Sequence, residues 1–128
     1  MTSLLGGADL VAFVPASDLA RARQFYADVL GLSLVVETPV ADVFDANGTT
    51  LRVTLVPEFN PGGYTAVGWT VDDIALAVRS LADRGVVVER FDGMDQDPLG
   101  VWTAPSGDQV AWFKDPDGNT LSVTQPAS

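Results

Sequence analysis

Apolar and polar residues follow two periods along this chain, and the period changes at regular places. Residues 10–15 (LVAFVP) form a short apolar run suited to a buried strand. Ser17 and Asp18 then offer side-chain oxygens to the free N–H groups of a helix start. Leu19, Ala22, Phe25, Tyr26, Val29 and Leu30 recur at helical spacing, with Arg21, Arg23, Gln24 and Asp28 on the other side. Gly31 is placed to stop this helix, because glycine enters the left-handed cap conformation without a Cβ penalty. Strands are predicted over 32–37, 40–45 and 49–56. Pro39 breaks the first from the second, and Ala46-Asn47-Gly48 is a hairpin turn signal between the last two.

Residues 57–63 (PEFNPGG) are the strongest loop signal, and beyond them the pattern restarts. A strand is predicted over 64–71, and Asp72-Asp73 caps a helix whose buried stripe is Ile74, Ala77, Val78, Leu81 and Ala82, with Gly85 as its stop. Further strands are predicted over 86–90, 101–104, 109–114 and 119–124. An acidic loop spans 92–100, and turns lie at Pro105-Ser106-Gly107 and Asp115-Pro116-Asp117-Gly118. The order is strand, helix, three strands, and then the same again with one strand more: one module at about 8–57 and a second at about 63–126 within a single domain 1–128. The repeat is one of pattern, with weak identity between the halves. Each half is too small to bury both faces of its sheet, so two packed copies make structural sense.

Composition narrows the chemistry. The chain has neither Cys nor His. Disulfides, thiolate nucleophiles, Cys-ligated metals, imidazole ligands and every Ser-His-Asp or Cys-His arrangement are therefore excluded. Carboxylates, hydroxyls, Arg52, Lys114, the two Tyr and the backbone remain. A net charge of -10 opposes phosphate backbones and anionic membranes, so neither nucleic acid nor membrane is expected as a partner. The start, MTSLLGGADLV, lacks a basic region and a long apolar run, and no stretch approaches a membrane span; a cytoplasmic location is the expectation.

Residues 17–32 (SDLARARQFYADVLGL) resemble the first-helix signature of the glyoxalase / bleomycin-resistance / extradiol-dioxygenase (vicinal oxygen chelate) superfamily, and 113–119 (FKDPDGN) resemble its last hairpin. With the paired modules, the resemblance covers nearly the whole chain. It implies an α+β fold of two tandem βαβββ modules forming curved mixed sheets around a cavity. Enzymes of that superfamily hold a divalent metal with His and Glu from four strands. Carried over one by one, those positions fall on Val11, on Ala66, on Ser122, and near Arg52 or Thr54. Val, Ala and Ser are unsuited to a hard divalent cation, so the resemblance here implies the fold without its metal site and without a cofactor. Asp92, Asp95 and Asp97 read as a solvated loop, and Asp115 and Asp117 as a tight turn. Neither has the alternating oxygens, central Gly and closing Glu of a calcium loop.

Strand alternation sorts the candidates for the cavity wall. Leu51, Val53 and Leu55 should face the helix, which points Arg52 and Thr54 inward; Arg52 is then either a fixed cation for a carboxylate, phosphate or enolate, or a rim residue paired with an Asp. Tyr64, Gly68 and Thr70 share the face of Ala66, Trp69 lies on the helix side, Thr120 and Thr124 share the face of Ser122, and Phe13 that of Val11. Trp102 and Trp112 lie on neighbouring strands and read as core or as an aromatic wall, since periodicity leaves the inward face of 109–114 open.

The candidate ligand-binding residues are thus Phe13, Arg52, Thr54, Tyr64, Trp102, Trp112 and Ser122. The expected function is metal-independent binding of a small molecule, such as a drug or aromatic metabolite, with the acidic balance favouring a cationic or neutral one. The alternatives are a metal-free lyase or isomerase acting on a small oxygenated substrate, for which Asp9, Glu58 or a Tyr would need burial to serve as base, and a non-catalytic assembly module. The resemblance also implies a homodimer.

Overall fold

The computed structural model describes residues 4–128, and the chain divides into two compact units, Met1–Phe59 and Asn60–Ser128. The first unit runs β1 (Val11–Ala16), α1 (Leu19–Arg23), a π-helical continuation (Gln24–Val29), β2 (Ser33–Glu37), β3 (Ala41–Ala46) and β4 (Thr49–Leu55). The second runs β5 (Thr65–Thr70), α2 (Ile74–Asp83), β6 (Trp102–Thr103), β7 (Gln109–Lys114) and β8 (Thr120–Gln125). Each is a βαβββ module with a four-stranded mixed sheet, in the orders β1-β4-β3-β2 and β5-β8-β7-β6. In both, the strand before the helix pairs in parallel with the last strand, and the remaining pairs are antiparallel. The fold is α+β, built of tandem modules as the sequence pattern predicts.

The helix starts form where the acids were placed. Asp18 Oδ1 accepts the Arg21 N–H at 3.1 Å, and Asp73 Oδ1 accepts the Leu76 N–H at 3.1 Å. Gln125 Oε1 also takes the Ile74 N–H, tying the start of α2 to the end of β8. Gly31 and Gly85 leave the helices at φ 80° and 85°, a conformation that costs a side-chain-bearing residue strain. The first helix widens before its end, with the Leu30 N–H reaching back to the Phe25 carbonyl over five residues. That stretch buries Tyr26 completely, edge-on to Phe25 and tilted against Phe44 with ring centroids 6.0 Å apart. The hairpin between β3 and β4 turns on Asn47 and Gly48, both at positive φ, with Asp45 accepting the Gly48 N–H.

The core of the first unit comprises Val14, Ala16, Ala22, Tyr26, Ala41, Phe44, Leu51 and Val53; that of the second comprises Ile74, Val78, Leu81, Val101, Ala111, Phe113, Leu121 and Val123. One charged group sits within the first. Asp42 is fully buried and receives Nε and Nη2 of Arg23, each at 3.2 Å, while Nη1 of the same guanidinium reaches Glu37 at 2.7 Å. The hydrogen bonds to Asp42 push the Arg23 pKa above its ordinary value, against the lowering effect of desolvation. A single side chain of α1 thereby clamps β3 and β2.

One predicted strand does not form. Over 86–90 only Val88 bridges to Phe113, with the Glu89 N–H donating to the Trp112 carbonyl. The neighbouring backbone groups are taken by side chains. Gln96 Nε2 donates to the carbonyls of Glu89 and Gly100, its Oε1 accepts the Phe91 N–H, and Arg90 donates to the carbonyls of Asp97 and Pro98. These local bonds satisfy the groups a ladder would have used. The predicted strand 101–104 contracts to two residues for the same reason: Asp97 Oδ1 accepts the N–H groups of Leu99 and Val101.

Two stability outcomes are expected. Asp73→Ala should lower the unfolding free energy by about 1 kcal/mol in urea denaturation, as the loss of an N-cap does. Arg23→Met should destabilise more than Arg21→Met, and adding Asp42→Asn should recover part of the loss, because the variant strands a buried carboxylate that the amide replaces. Thermal unfolding of the three proteins checks the ordering.

Candidate functional site

In each sheet one face is taken by the helix, and the candidates lie on the other. In the first unit Phe44 stands beside Leu51 and Asp42 beside Val53, and these four are buried on the α1 side. The alternate residues of β4 face away. Arg52 has Phe13 of β1 and Val43 of β3 as its register partners, Thr54 has Pro15 and Ala41, and Thr50 has Val11. Phe13 is 62% exposed and Val11 41%, so an aromatic ring stands in the open beside Arg52. Arg52 is half-buried, and among the described residues its guanidinium makes neither a hydrogen bond nor an ion pair; the reading that pairs it with an Asp is not what this unit shows. Thr54 Oγ1 is buried without a hydrogen-bond partner.

In the second unit the register fixes what periodicity left open. Ala111 stands beside Val123 and Phe113 beside Leu121, all buried on the α2 side. Trp112 therefore shares the opposite face with Ser122, and Val110 with Thr124. Trp102, in register with Val110, joins them. The two indoles lie 6.0 Å apart at 36°, and Phe91 stands edge-on to Trp112 at 5.5 Å, so three rings form one wall. The indole N–H of Trp112 donates to Thr65 Oγ1 at 3.1 Å. At the far end of this face, Lys114 Nζ donates to Thr120 Oγ1 and lies 3.7 Å from Glu89. Trp69, in register with buried Val123, is half-buried on the helix side.

Tyr64 does not join this wall as alternation requires. The β5–β8 register slips between Thr65 and Val67, so Ala66 lies at an irregularity, and Thr65 and Gly68 stand opposite Thr120 and Ser122. Tyr64 precedes the strand and is 72% exposed. Sequence reasoning missed Thr65 and Phe91. Thr65 needed the bulge, which no residue pattern marks, and Phe91 needed the loop that Gln96 organises. Gly68 lets the strands approach, since a Cβ there would collide with the Ser122 hydroxyl.

The positions at which relatives would hold a metal do not fit one. The side chains of Val11 and Ala66 carry no donor atom, and Ala66 sits where the strand is irregular. Ser122 offers one neutral hydroxyl packed against Gly68. Several carboxylates elsewhere hold backbone. Asp115 accepts the N–H groups of Asp117 and Asn119 and the Asn119 amide, building the last turn. No group of three His, Cys, Asp or Glu suited to a metal occurs among the described residues. A groove of about 500 Å³ in the first unit, lined by Ala20, Arg23, Gln24, Ala27, Asp28 and Leu34, involves none of the candidate residues. Its Arg23 is the clamp described above.

Comparison with known proteins places this architecture. The family model described as Glyoxalase/Bleomycin resistance protein/Dioxygenase superfamily matches residues 8–123. Among solved structures, a member of that superfamily from Sphaerobacter thermophilus is 25% identical with a TM-score of 0.74, covering 93% of this chain and 97% of its own. TnmS3, an antibiotic binding protein from Streptomyces sp. CB03234, is 27% identical with a TM-score of 0.69, covering 98% and 100%. A putative glyoxalase family protein from Bacillus anthracis is 18% identical with a TM-score of 0.73, covering 98% and 99%, and its likeness is one of fold. No curated protein matches the chain. No helix among the described residues is long and apolar enough to cross a membrane.

The Gly68–Ser122 approach generates a paired prediction. Gly68→Ala should cost about 1–3 kcal/mol through overpacking, and Ser122→Ala in the same chain should recover most of it. Urea denaturation of the two single variants and the double variant measures the coupling.

Proposed function

Because the chain belongs to the glyoxalase/bleomycin resistance protein/dioxygenase superfamily, matched over residues 8–123, we propose that it is a binding protein of this superfamily that takes a planar aromatic drug or metabolite without a metal. The observation that carries the reading is the wall of Trp102, Trp112 and Phe91 on the face of the second sheet that no helix of its unit covers. Indoles offer large, rigid surfaces that stack on flat ligands. The exposed Thr65 adds a hydroxyl that orients a polar edge, with Ser122 buried behind the rings. The similarity to an antibiotic binding protein over the full length of both chains supports the same reading. So do the side chains at Val11, Ala66 and Ser122, which suit contact with an organic ligand better than coordination of a cation. The enzymatic alternative has no comparable support, since Asp9, Glu58 and Tyr64 are exposed to solvent and the buried Tyr26 packs against Phe25 and Phe44 in the core. The working protein is taken to be a cytoplasmic homodimer, and sedimentation velocity at micromolar concentration tests the oligomeric state.

A thermal-shift and fluorescence-quenching screen with planar aromatic antibiotics tests the proposal. At least one should quench the indole emission saturably, and Trp112→Ala should weaken its binding by about tenfold or more, as truncation of a central aromatic anchor does. Chelator should leave that affinity unchanged. A panel that neither quenches nor stabilises the protein, or binding abolished by chelator and restored by a divalent metal, would overturn it.

A further inference from the structure

The open face of the first sheet holds a second pair of groups that nothing within its unit satisfies. Arg52 has no acceptor among the described residues, although acids outnumber bases seventeen to seven. Thr54 Oγ1 is buried with no hydrogen-bond partner. A guanidinium in a chain this rich in carboxylates commonly pairs with one, and a buried hydroxyl normally finds an acceptor, whose absence costs free energy. The two lie two positions apart on one face of β4, about 7 Å along the strand. Arg52 is flanked in register by the exposed ring of Phe13 and by Val43. A cation, a hydroxyl donor and an aromatic surface therefore converge on one patch.

From this convergence we propose that the first unit's open face is a binding site for the carboxylate of an aromatic acid. Arg52 is its cation, the Thr54 hydroxyl its second donor, and Phe13 the surface on which the ring lies. The proposal rests on the reading of this chain as a small-molecule-binding protein, and it adds the charge class of the ligand. The net charge of -10 does not oppose it. Exposed charges farther off than about 8 Å are largely screened at physiological salt, whereas a guanidinium fork grips a carboxylate at contact. No carboxylate side chain shares Arg52's register positions, which are held by Phe13 and Val43.

The test uses the full chain and two probes that differ in charge and little in shape, 1-naphthoate and 1-naphthamide, with binding measured by calorimetry at pH 7.5. Wild-type protein should bind naphthoate about tenfold or more tightly than naphthamide, the scale of a hydrogen bond to a charged group. Arg52→Gln should erase that preference, Arg52→Lys should keep part of it, and Thr54→Val should weaken naphthoate several-fold while leaving naphthamide unchanged. Equal binding of the two probes by wild type, or an undiminished preference in Arg52→Gln, would overturn the site. So would the absence of naphthoate binding. The antibiotic screen then separates the two readings: a positive screen leaves small-molecule binding standing without the carboxylate site, and a blank one removes both.

Discussion

A four-stranded sheet has two faces, and each unit of this chain supplies one helix to cover one of them. That shortfall governs everything else in the structure. Strand alternation means that the residues beneath the helix leave their immediate neighbours on the uncovered side, with no freedom to do otherwise. Once Leu51 and Val53 are buried beneath α1, Arg52 and Thr54 have to face away. Once Ala111 and Phe113 are buried beneath α2, Trp112 has to stand beside Ser122. The candidate ligand surfaces are thus the complement of the cores. Their composition is informative because it did not have to be aromatic: a sheet face that met only water would favour charged and small polar residues rather than two indoles and Phe13.

Part of the acidic surplus has a structural explanation. Asp18 and Asp73 cap helices, Asp45 closes a hairpin, Asp97 and Asp115 build turns, and Asp108 accepts the Ala127 N–H. Asp42 is the buried half of a clamp. Short carboxylates suit these tasks because they reach backbone N–H groups two to four residues away that would otherwise go unsatisfied. An acidic composition read only as a field would suggest a cation site. Taken residue by residue, it describes a chain whose turns and caps are held by aspartate.

What the sequence disclosed and what it withheld divide along the range of the interaction. Helix starts at Asp18 and Asp73, stops at Gly31 and Gly85, and the Asn47-Gly48 hairpin depend on residues within four positions of each other, and all form where their local chemistry put them. The faces of β4 and β8 were also legible, since Leu51, Val53, Leu121 and Val123 alternate cleanly with polar neighbours. The face of β7 was not, because Val110-Ala111-Trp112-Phe113 is apolar on both sides and only the pairing with β8 decides it. Tyr64 was misplaced by a bulge at Ala66, a feature set by the parallel pairing with β8 rather than by any residue near it. The strand predicted over 86–90 failed through a competitor seven residues beyond Glu89, since Gln96 binds the backbone that the ladder needed.

Gln96 also shows how a loop with no regular structure can serve a rigid surface. Its amide bridges the carbonyls of Glu89 and Gly100 and takes the N–H of Phe91, fixing three points of the segment that carries the third ring of the wall. Gly100, at φ 89°, makes room for Val88, which could not approach if a Cβ stood there. Val88 in turn bridges to Phe113, whose side chain is core. A chain of contacts thus runs from the buried side of β7, through an edge segment, to the ring standing against Trp112. Aromatic walls that bind flat ligands depend on rings held before the ligand arrives, because ordering a loose ring on binding would cancel much of what stacking contributes. Here the segment is held by bonds from the Gln96 side chain to backbone groups outside the wall, so the placement of Phe91 depends on residues that need never touch the ligand.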